Sequence, residues 1–483
     1  MAKIMFVNDL EVENLGIMHI SSVLKAHGHV CDLIFSNQNA EDKLQSIKEF
    51  HPDIIGFSVM TVNQNLTLNF ATLLKKNDVE ALIIAGGPHP TFFPDFIDNE
   101  CIDIINRGEG EYSLLDLANA VDNHSDIRGI QNFYVKKDGK IYKNPLRPLV
   151  NIEELPDPDI DIFLKYDAMK YKGVYRFIVS RGCPYGCSFC FNHQWNNLYK
   201  ECGNQNVIRL KSVEKCMHEI EEFAKKIELK FVGFMDSTFN LDKKWLLKFL
   251  ECYSKRIGIP FSVNLRANLI DEEIVKALAE TNCCHTVRVG IEVGNEKLRR
   301  EVLNKNISNN SIYNMAALLE KYKISLLAYI MFGLPDETVA DAFETIEMMQ
   351  KIQPDIIYAM VFLPFPGLNI TKYAIKKGYI TEKDLLKLGE SKYRNYNSIL
   401  QQSDINTVMN IHKLHMVLTR FPFLSPFIKK LVRLKPNPIF NFIYAISLHL
   451  NMMRHTGAIS NAKSNIINFA IQTAKVALKK RIS

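Results

Sequence analysis

Twice along this chain of 483 residues, apolar runs of strand length alternate with stretches of helical period, and no other feature constrains the fold as much. Short, nearly continuous apolar strands separated by helices form a parallel sheet with both faces covered by the connections. The first series reads IMFV (4–7), a helix through 17–27, HVCDLIF (29–35), DIIGFSV (53–59), a helix through 64–76, ALIIA (81–85) and DIIN (103–106). Between about 123 and 170 the pattern weakens, and ELPDPDID (154–161) marks a linker. A second series follows, with strands expected at 174–180, 229–236, 261–265, 286–292, 325–333 and 356–363 and helices at 212–226, 243–253, 272–280, 310–322 and 339–352. Six consecutive strand-helix units predict a partial barrel whose chemistry lies on loops at the carboxyl ends of the strands.

In the first series, ligands are expected beyond the strands' carboxyl ends, where strand order reverses. The loops there read NDLEVENLG (8–16), MT (60–61), GGPHPT (86–91) and RGEGEYSLLDL (107–117). Adjacent glycines let a backbone approach a large ligand closely, and a plain tight turn accounts for them equally well. A content of 47% hydrophobic and 23% charged residues excludes disordered, collagen-like and disulfide-scaffold classes. The net charge of +6 reads as spread along the length without a basic arm, so no nucleic-acid partner is expected. The start MAKIMFVND lacks a leader's apolar region, and with ten cysteines this predicts a cytoplasmic protein with reduced thiols. The apolar stretch 438–453 is shorter than the ~20 residues of a membrane span and carries Asn441, Ser447, His449 and Asn451.

Directly after the first barrel strand comes SRGCPYGCSFCFN (180–192), with Cys183, Cys187 and Cys190 in a C-x3-C-x2-C arrangement. Three thiolates within eight residues suit three corners of a cubane 4Fe–4S cluster, with Gly182 and Gly186 letting the loop wrap it. The fourth iron is then open. Zinc is the plainer alternative, but a structural zinc site needs a fourth protein ligand; His193 is near, yet no partner follows at zinc-finger spacing.

This loop, with Phe189 directly before the third cysteine, resembles that of the radical S-adenosylmethionine enzymes. Further segments fit in order: FMDSTFNLD (234–242), LRANL (265–269), VGIEVGNE (289–296), FGLPDET (332–338) and FLPFPGLNI (362–370). The resemblance implies a 4Fe–4S cluster on the three cysteines whose open iron chelates S-adenosylmethionine, reductively cleaved to a 5′-deoxyadenosyl radical. It further implies contacts to S-adenosylmethionine from Phe189, Asp236, Ser237, Arg266 and Glu292, although position 293 is Val where the family commonly has Ser. A structural ion pair between Arg266 and Glu292 is the competing reading.

With such a barrel downstream, LGIMHISSVLKAHGH (15–29), GFSVMT (56–61), AGGPHPTFFP (85–94) and RGEGEYSLLDL (107–117) resemble the cobalamin-binding domain of one large branch of that family. This implies cobalamin contacts from Thr61, Gly86, Gly87, Gly108 and Glu109. The loop after the first strand has no D-x-H-x-x-G histidine, so a histidine ligand to cobalt is not expected; His19 and His27 read as packing or helix-surface residues, and His89 is not read as a ligand. The expected α/β architecture is a flavodoxin-like (Rossmann-type) cobalamin-binding domain (1–145), a linker (146–170), a partial (β/α)6 TIM-type radical barrel (171–370) and a mainly helical C-terminal domain (371–483).

Cys31, Cys216, Cys252, Cys283 and Cys284 read as small buried hydrophobes, and Cys101 and Cys202 have no companion at a second-cluster spacing, which disfavours methylthiotransferases. Basic residues beside apolar segments at 421–436 and 469–483 are of the kind that contacts a membrane surface or lipid-like substrate, while helices closing the barrel mouth are the plainer reading. The function expected from the resemblance is cobalamin-dependent radical methylation of an unactivated carbon, or phosphorus, of a small molecule, with a low-potential electron donor such as flavodoxin or ferredoxin. A non-methylating cyclase or rearrangement enzyme of the same branch is the second reading, and an iron–sulfur electron-transfer protein the third.

Overall fold

The computed structural model describes residues 1–457 apart from 10–11, 37–38, 171–172, 204–206, 386–387 and 389–396. The basic stretch 469–483 lies outside the described residues. The chain divides into two compact units, Met1–Pro184 with Gln194–Leu229, and Tyr185–His193 with Lys230–Ser483.

In the first unit the strands are β1 (Lys3–Asn8), β2 (Val30–Phe35), β3 (Ile54–Ser58), β4 (Leu82–Gly86), β5 (Ile104–Asn106), β6 (Phe133–Lys137) and β7 (Lys140–Lys143). They form one sheet in the order β2-β1-β3-β4-β5-β6-β7, parallel through β5 and antiparallel thereafter. The order 2-1-3-4-5 is that of flavodoxin-like sheets, with its topological switch between β1 and β3. Val7, Ile55, Phe57 and Ile83 are buried with Phe70 and Leu74 of the helix Gln64–Lys76, which explains why these strands are apolar without alternation.

The expected linker is not a loose tether. Asp159 is buried and takes a 2.5 Å hydrogen bond from the Ser21 hydroxyl and a 2.6 Å ion pair from Lys25. Tyr166 donates to the Leu33 carbonyl at 2.9 Å, and Arg176 binds the buried Glu13 carboxylate at 2.9 Å. These bonds draw the segment after 150 onto the first sheet's helices and strands, so the compact unit runs past 145. The strand expected at 174–180 is two, β8 (Val174–Phe177) and β9 (Ser180–Arg181), the latter pairing antiparallel with β10 (Arg209–Leu210).

The second unit carries β11 (Phe231–Phe234), β12 (Phe261–Leu265), β13 (Cys284–Glu292), β14 (Ser325–Phe332) and β15 (Ile356–Val361), parallel and in sequential order. The helices between them start where a side chain accepts a free backbone N–H: Asp242, Asp271, Ser308 and Thr338 each cap the first turn. Gly290, Tyr329 and Tyr358 are in register on one face of the sheet, which is the more exposed, while Val287, Val289, Ile291, Ala328 and Ile330 are buried on the other.

The C-terminal helices Ile405–Arg420 and Pro438–Gly457 solve the edge problem of the last strand, whose outer backbone groups lack a sheet partner. Asn451 donates to the Ile357 carbonyl at 2.6 Å and accepts from its N–H, while His412 and Tyr444 reach the Ala359 carbonyl at 3.3 and 3.4 Å. Replacing Asn451 by Leu should therefore lower the unfolding free energy by about 1–3 kcal/mol, the cost of leaving buried groups unpaired. Urea denaturation of the variant against the parent measures this, and an unchanged midpoint would refute the role.

Candidate functional site

At the carboxyl ends of the first sheet, Asn14 donates to Asn8 at the end of β1 and to the Ser58 hydroxyl at the end of β3, both at 3.2 Å, and so spans the switch point. Thr61 hydrogen-bonds His89 at 3.2 Å. Burial pushes His89 down to about 4, and Phe93 and Phe96 flank it at 5.0 Å, so a neutral, packed imidazole occupies this corner. Gly87 has φ +99°, and a Cβ there would lie 3.0 Å from the Val59 carbonyl. At Gly86 the nearest atom to such a Cβ is the Asn106 Cβ at 3.7 Å, an ordinary contact, so protein packing does not itself demand glycine. This roomy edge, with Met60 exposed beside it, fits a large flat ligand lying across the strand ends.

Gly108 and Glu109 are committed differently. A Cβ on Gly108 (φ +81°) would fall 2.2 Å from the Tyr199 hydroxyl, which accepts from the Glu109 N–H at 3.2 Å. The glycine is thus required by the tyrosine. The buried Glu109 carboxylate accepts from Arg181 at 2.8 Å, from Arg209 through both oxygens at 2.8 Å, and from the Val150 N–H at 2.8 Å. Burial would raise this carboxyl, but hydrogen bonding to Arg209, the two guanidinium charges and the Val150 N–H hold it below the usual glutamate range. Arg181 also binds Glu111 at 2.6 Å. Glu109, for which the resemblance implies a cobalamin contact, is clasped by these groups and fixes the loop after β5 to the strand that leads into the cysteines.

The cysteine loop is held along its length. Gly182 (φ +92°) lets the chain pass the Val207 carbonyl, which a Cβ would meet at 2.2 Å. Cys183 is buried, and its carbonyl accepts from Asn196 at 2.7 Å. In the second unit the Gly186 carbonyl accepts from Asn304 at 2.7 Å, and Ser188 donates to the Leu303 and Val302 carbonyls at 2.9 and 2.6 Å. Cys187 is buried and Cys190, half-buried, closes a turn on the Cys187 carbonyl at 3.1 Å. None of the ten cysteines is joined in a disulfide.

Around Cys187 stand two cations. Burial pushes its thiol up, while the Lys305 and Arg266 charges and an Arg266 hydrogen bond act to lower it. Arg266 lies 3.4 Å over the Tyr185 ring and donates to Asn268 at 2.9 Å. Glu292, at the end of β13 with φ +69°, pairs with Lys305 at 2.6 Å, and Lys305 also donates to the Gly290 carbonyl at 2.7 Å. The Arg266–Glu292 ion pair weighed from sequence therefore gives way to Lys305, whose link to Glu292 sequence reading missed because thirteen residues separate them. A cationic neighbourhood fits thiolates that ligate iron.

Asp236 is buried and Ser237 exposed, with the Ser237 hydroxyl accepting from Asn192 at 3.0 Å. Phe189 packs with Phe191 against a core that includes Val293, Leu334 and Leu368. Also missed was Glu337, which accepts from the Gly333 and Leu334 N–H groups at 2.5 and 3.0 Å while burial pushes it up to about 8. On the exposed face of β13–β15, Arg288 reaches Met235 Sδ at 3.3 Å, and Tyr329 meets Tyr358 edge-on at 5.8 Å.

Family comparison matches residues 3–118 to the B12 binding domain and residues 177–349 to the Radical SAM superfamily. The chain belongs to the cobalamin-binding radical S-adenosylmethionine enzymes. Its cofactors are accordingly a 4Fe–4S cluster, S-adenosylmethionine and cobalamin, and the electron-carrier reading is set aside. An uncharacterized methyltransferase of Pyrococcus horikoshii is 29% identical over 400 residues, covering 80% of this chain and 83% of that one. The anaerobic magnesium-protoporphyrin IX monomethyl ester cyclase of Rubrivivax gelatinosus is 27% identical over 370 residues, covering 72% of this chain and 64% of that longer one. The solved structure of the cobalamin-dependent S-adenosylmethionine radical enzyme OxsB, with aqua-cobalamin and S-adenosylmethionine bound, has the same fold, with TM-score 0.69, 17% identity and coverage of 94% of this chain and 72% of that one. Among the described residues, no helix of this radical enzyme is long and apolar enough to cross a membrane.

Glu109→Gln strips the charge from a carboxylate buried between two guanidiniums, which should cost roughly 3–5 kcal/mol of stability at neutral pH. Because the folded pKa is depressed, the parent's advantage is complete above the ordinary glutamate range and is lost as pH falls through that range to the depressed value. Denaturant melts of both proteins at neutral and acid pH check this; a gap of the same size in acid would count against it.

Proposed function

We propose that this enzyme is a cobalamin-dependent radical methyltransferase acting on an unactivated carbon, or phosphorus, of a small molecule, with electrons from a low-potential donor such as flavodoxin or ferredoxin. The observation that carries the reading is the pinned C-x3-C-x2-C loop with Lys305 and Arg266 about Cys187, in a chain whose first sheet is of the B12-binding type. Its likeness to the Pyrococcus methyltransferase over most of both chains supports methylation.

In this reading Cys183, Cys187 and Cys190 hold the cluster, and Thr61, Gly86 and Gly87 border cobalamin, with Gly108 and Glu109 shaping the neighbouring loop. When bound, the cluster supplies the electron that cleaves S-adenosylmethionine to methionine and a 5′-deoxyadenosyl radical, and cobalamin supplies a methyl carrier. The chain's own residues orient and shield. Lys305 holds the Glu292 carboxylate at the strand end as an acceptor for ribose hydroxyls. Arg266, fixed by stacking on Tyr185, offers a cation to the methionine carboxylate, while Asp236 and Ser237 serve the amino end and Phe189 keeps the loop seated in its core. The substrate faces Tyr329, Tyr358, Met360 and Arg288 on the open side of the second sheet, an apolar and aromatic surface with one cation.

Anaerobic reconstitution with hydroxocobalamin, S-adenosylmethionine and a strong reductant, followed by mass spectrometry, tests the proposal. Cysteine-dependent 5′-deoxyadenosine together with cobalamin-dependent S-adenosylhomocysteine is the expected result. 5′-Deoxyadenosine alone would move the assignment to ring formation, the chemistry named for the Rubrivivax relative. Replacing any one of Cys183, Cys187 or Cys190 by Ala should abolish both the cluster absorbance and cleavage, and cleavage surviving in such a variant sinks the cluster assignment. Glu292→Gln should weaken S-adenosylmethionine binding about 10- to 100-fold, the loss of a charge-assisted hydrogen bond. Calorimetry on the reconstituted protein reads it, and unchanged affinity rejects the ribose role.

A further inference from the structure

The even spread of charge read along the chain ends at Asp404. From residue 405 to residue 483 the sequence contains twelve Lys or Arg and no Asp or Glu. The described part of that segment also concentrates exposed apolar side chains: Phe421, Phe423, Phe427, Leu434, Ile439, Phe442, Ile446 and Leu450, with Phe423 76% and Ile439 67% exposed. The helix Pro438–Gly457 is apolar on two sides. Phe440, Tyr444, Ala445 and Asn451 are buried, with Tyr444 and Asn451 bonded to β15, whereas Ile439, Phe442, Ile446 and Leu450 recur at intervals of three and four residues and form one exposed stripe. A surface helix ordinarily turns a polar face to water. Before it, exposed Phe421 and Phe423 precede the short helix Ser425–Leu431, which carries exposed Phe427 and Lys430 and is followed by exposed Arg433 and Lys435.

We propose that this C-terminal surface docks the enzyme on an anionic lipid bilayer, lying in the interface without crossing it. Charge and shape complementarity commit the occupant. Phenylalanine and aliphatic side chains enter the boundary between headgroups and acyl chains, and the neighbouring Lys and Arg, drawn from a stretch of sequence without Asp or Glu, meet lipid phosphates. A nucleic acid would meet the same cations but offers nothing to a stripe of Ile and Leu. The helix itself does not meet the requirements of a span, which leaves the interfacial mode. This inference concerns where the enzyme works and does not depend on whether its product is methylated or cyclised.

Flotation of the purified full chain with vesicles of phosphatidylcholine alone, or of phosphatidylcholine mixed with phosphatidylglycerol, tests it. The protein should float with the anionic vesicles, poorly with the neutral ones, and less at raised salt. Lys430→Glu combined with Arg433→Glu should lower the partition by about tenfold or more, and Phe423→Ser with Phe427→Ser should lower it on anionic vesicles at every salt concentration. Both pairs lie at exposed positions, and retention of the parent's cluster absorbance shows that the variants fold. No flotation with anionic vesicles, equal flotation with both vesicle types, or flotation untouched by both variants overturns the proposal. So does light scattering that shows these side chains driving self-association in the absence of vesicle binding.

Discussion

The buried Glu109 carboxylate, clasped by Arg181 and Arg209, ties together parts of the first unit that the chain brings in from far apart. It sits one residue beyond the glycine that Tyr199 requires, and it accepts the Val150 N–H from the segment that follows the sheet. Two charges left unpaired in such a place would be costly, so the pairing fixes the loop after β5 and the approach to Gly182 and Cys183 as a single arrangement. The loop after β5 and the strand β9 that runs up to Gly182 are in this way made dependent on one ion-pair network within the first unit.

Parallel sheets explain why the functional residues gather where they do. Every strand of β1–β5 and of β11–β15 runs the same way within its sheet, so all carboxyl ends, with their unpaired backbone and free loops, fall along one edge. The price is conformational strain at those ends. Gly87 and Gly108 carry it in the first unit, and Glu292 carries it in the second without the freedom of glycine, at φ +69°. A glutamate held there by Lys305 accepts a left-handed backbone in return for a fixed carboxylate direction.

Much of this was legible in the sequence because the information is local. The strands of both sheets follow from apolar runs of four to nine residues, and the cysteine loop from spacing alone. What was not legible is distant in sequence. The β6–β7 hairpin, KKDGK at its turn, lies where the apolar pattern thins, and the helix Ala40–Phe50 carries too few apolar residues to announce itself. Lys305, Tyr185 and Tyr199 emerged only when the fold brought them to Glu292, Arg266 and Glu109. Glu109 shows the limit most clearly: its place in the loop motif was visible, but the two arginines that occupy its oxygens come from positions 72 and 100 residues further along.

The C-terminal helices show how one element serves two environments. Asn451 and Tyr444 bond to the edge of β15, and His412 does the same from the preceding helix with its imidazole pushed down to about 3 by burial, hence neutral. The groups bonded to the sheet edge sit on the buried side of the helix Pro438–Gly457 beside Phe440 and Ala445, so the helix is apolar on both its buried and its exposed side. The apolar residues on the far side are then not accounted for by the core they would normally build. Their exposure, combined with the loss of every carboxylate after Asp404, is what a surface-bound domain requires: enough hydrophobic contact to enter an interface and enough positive charge to choose an anionic one.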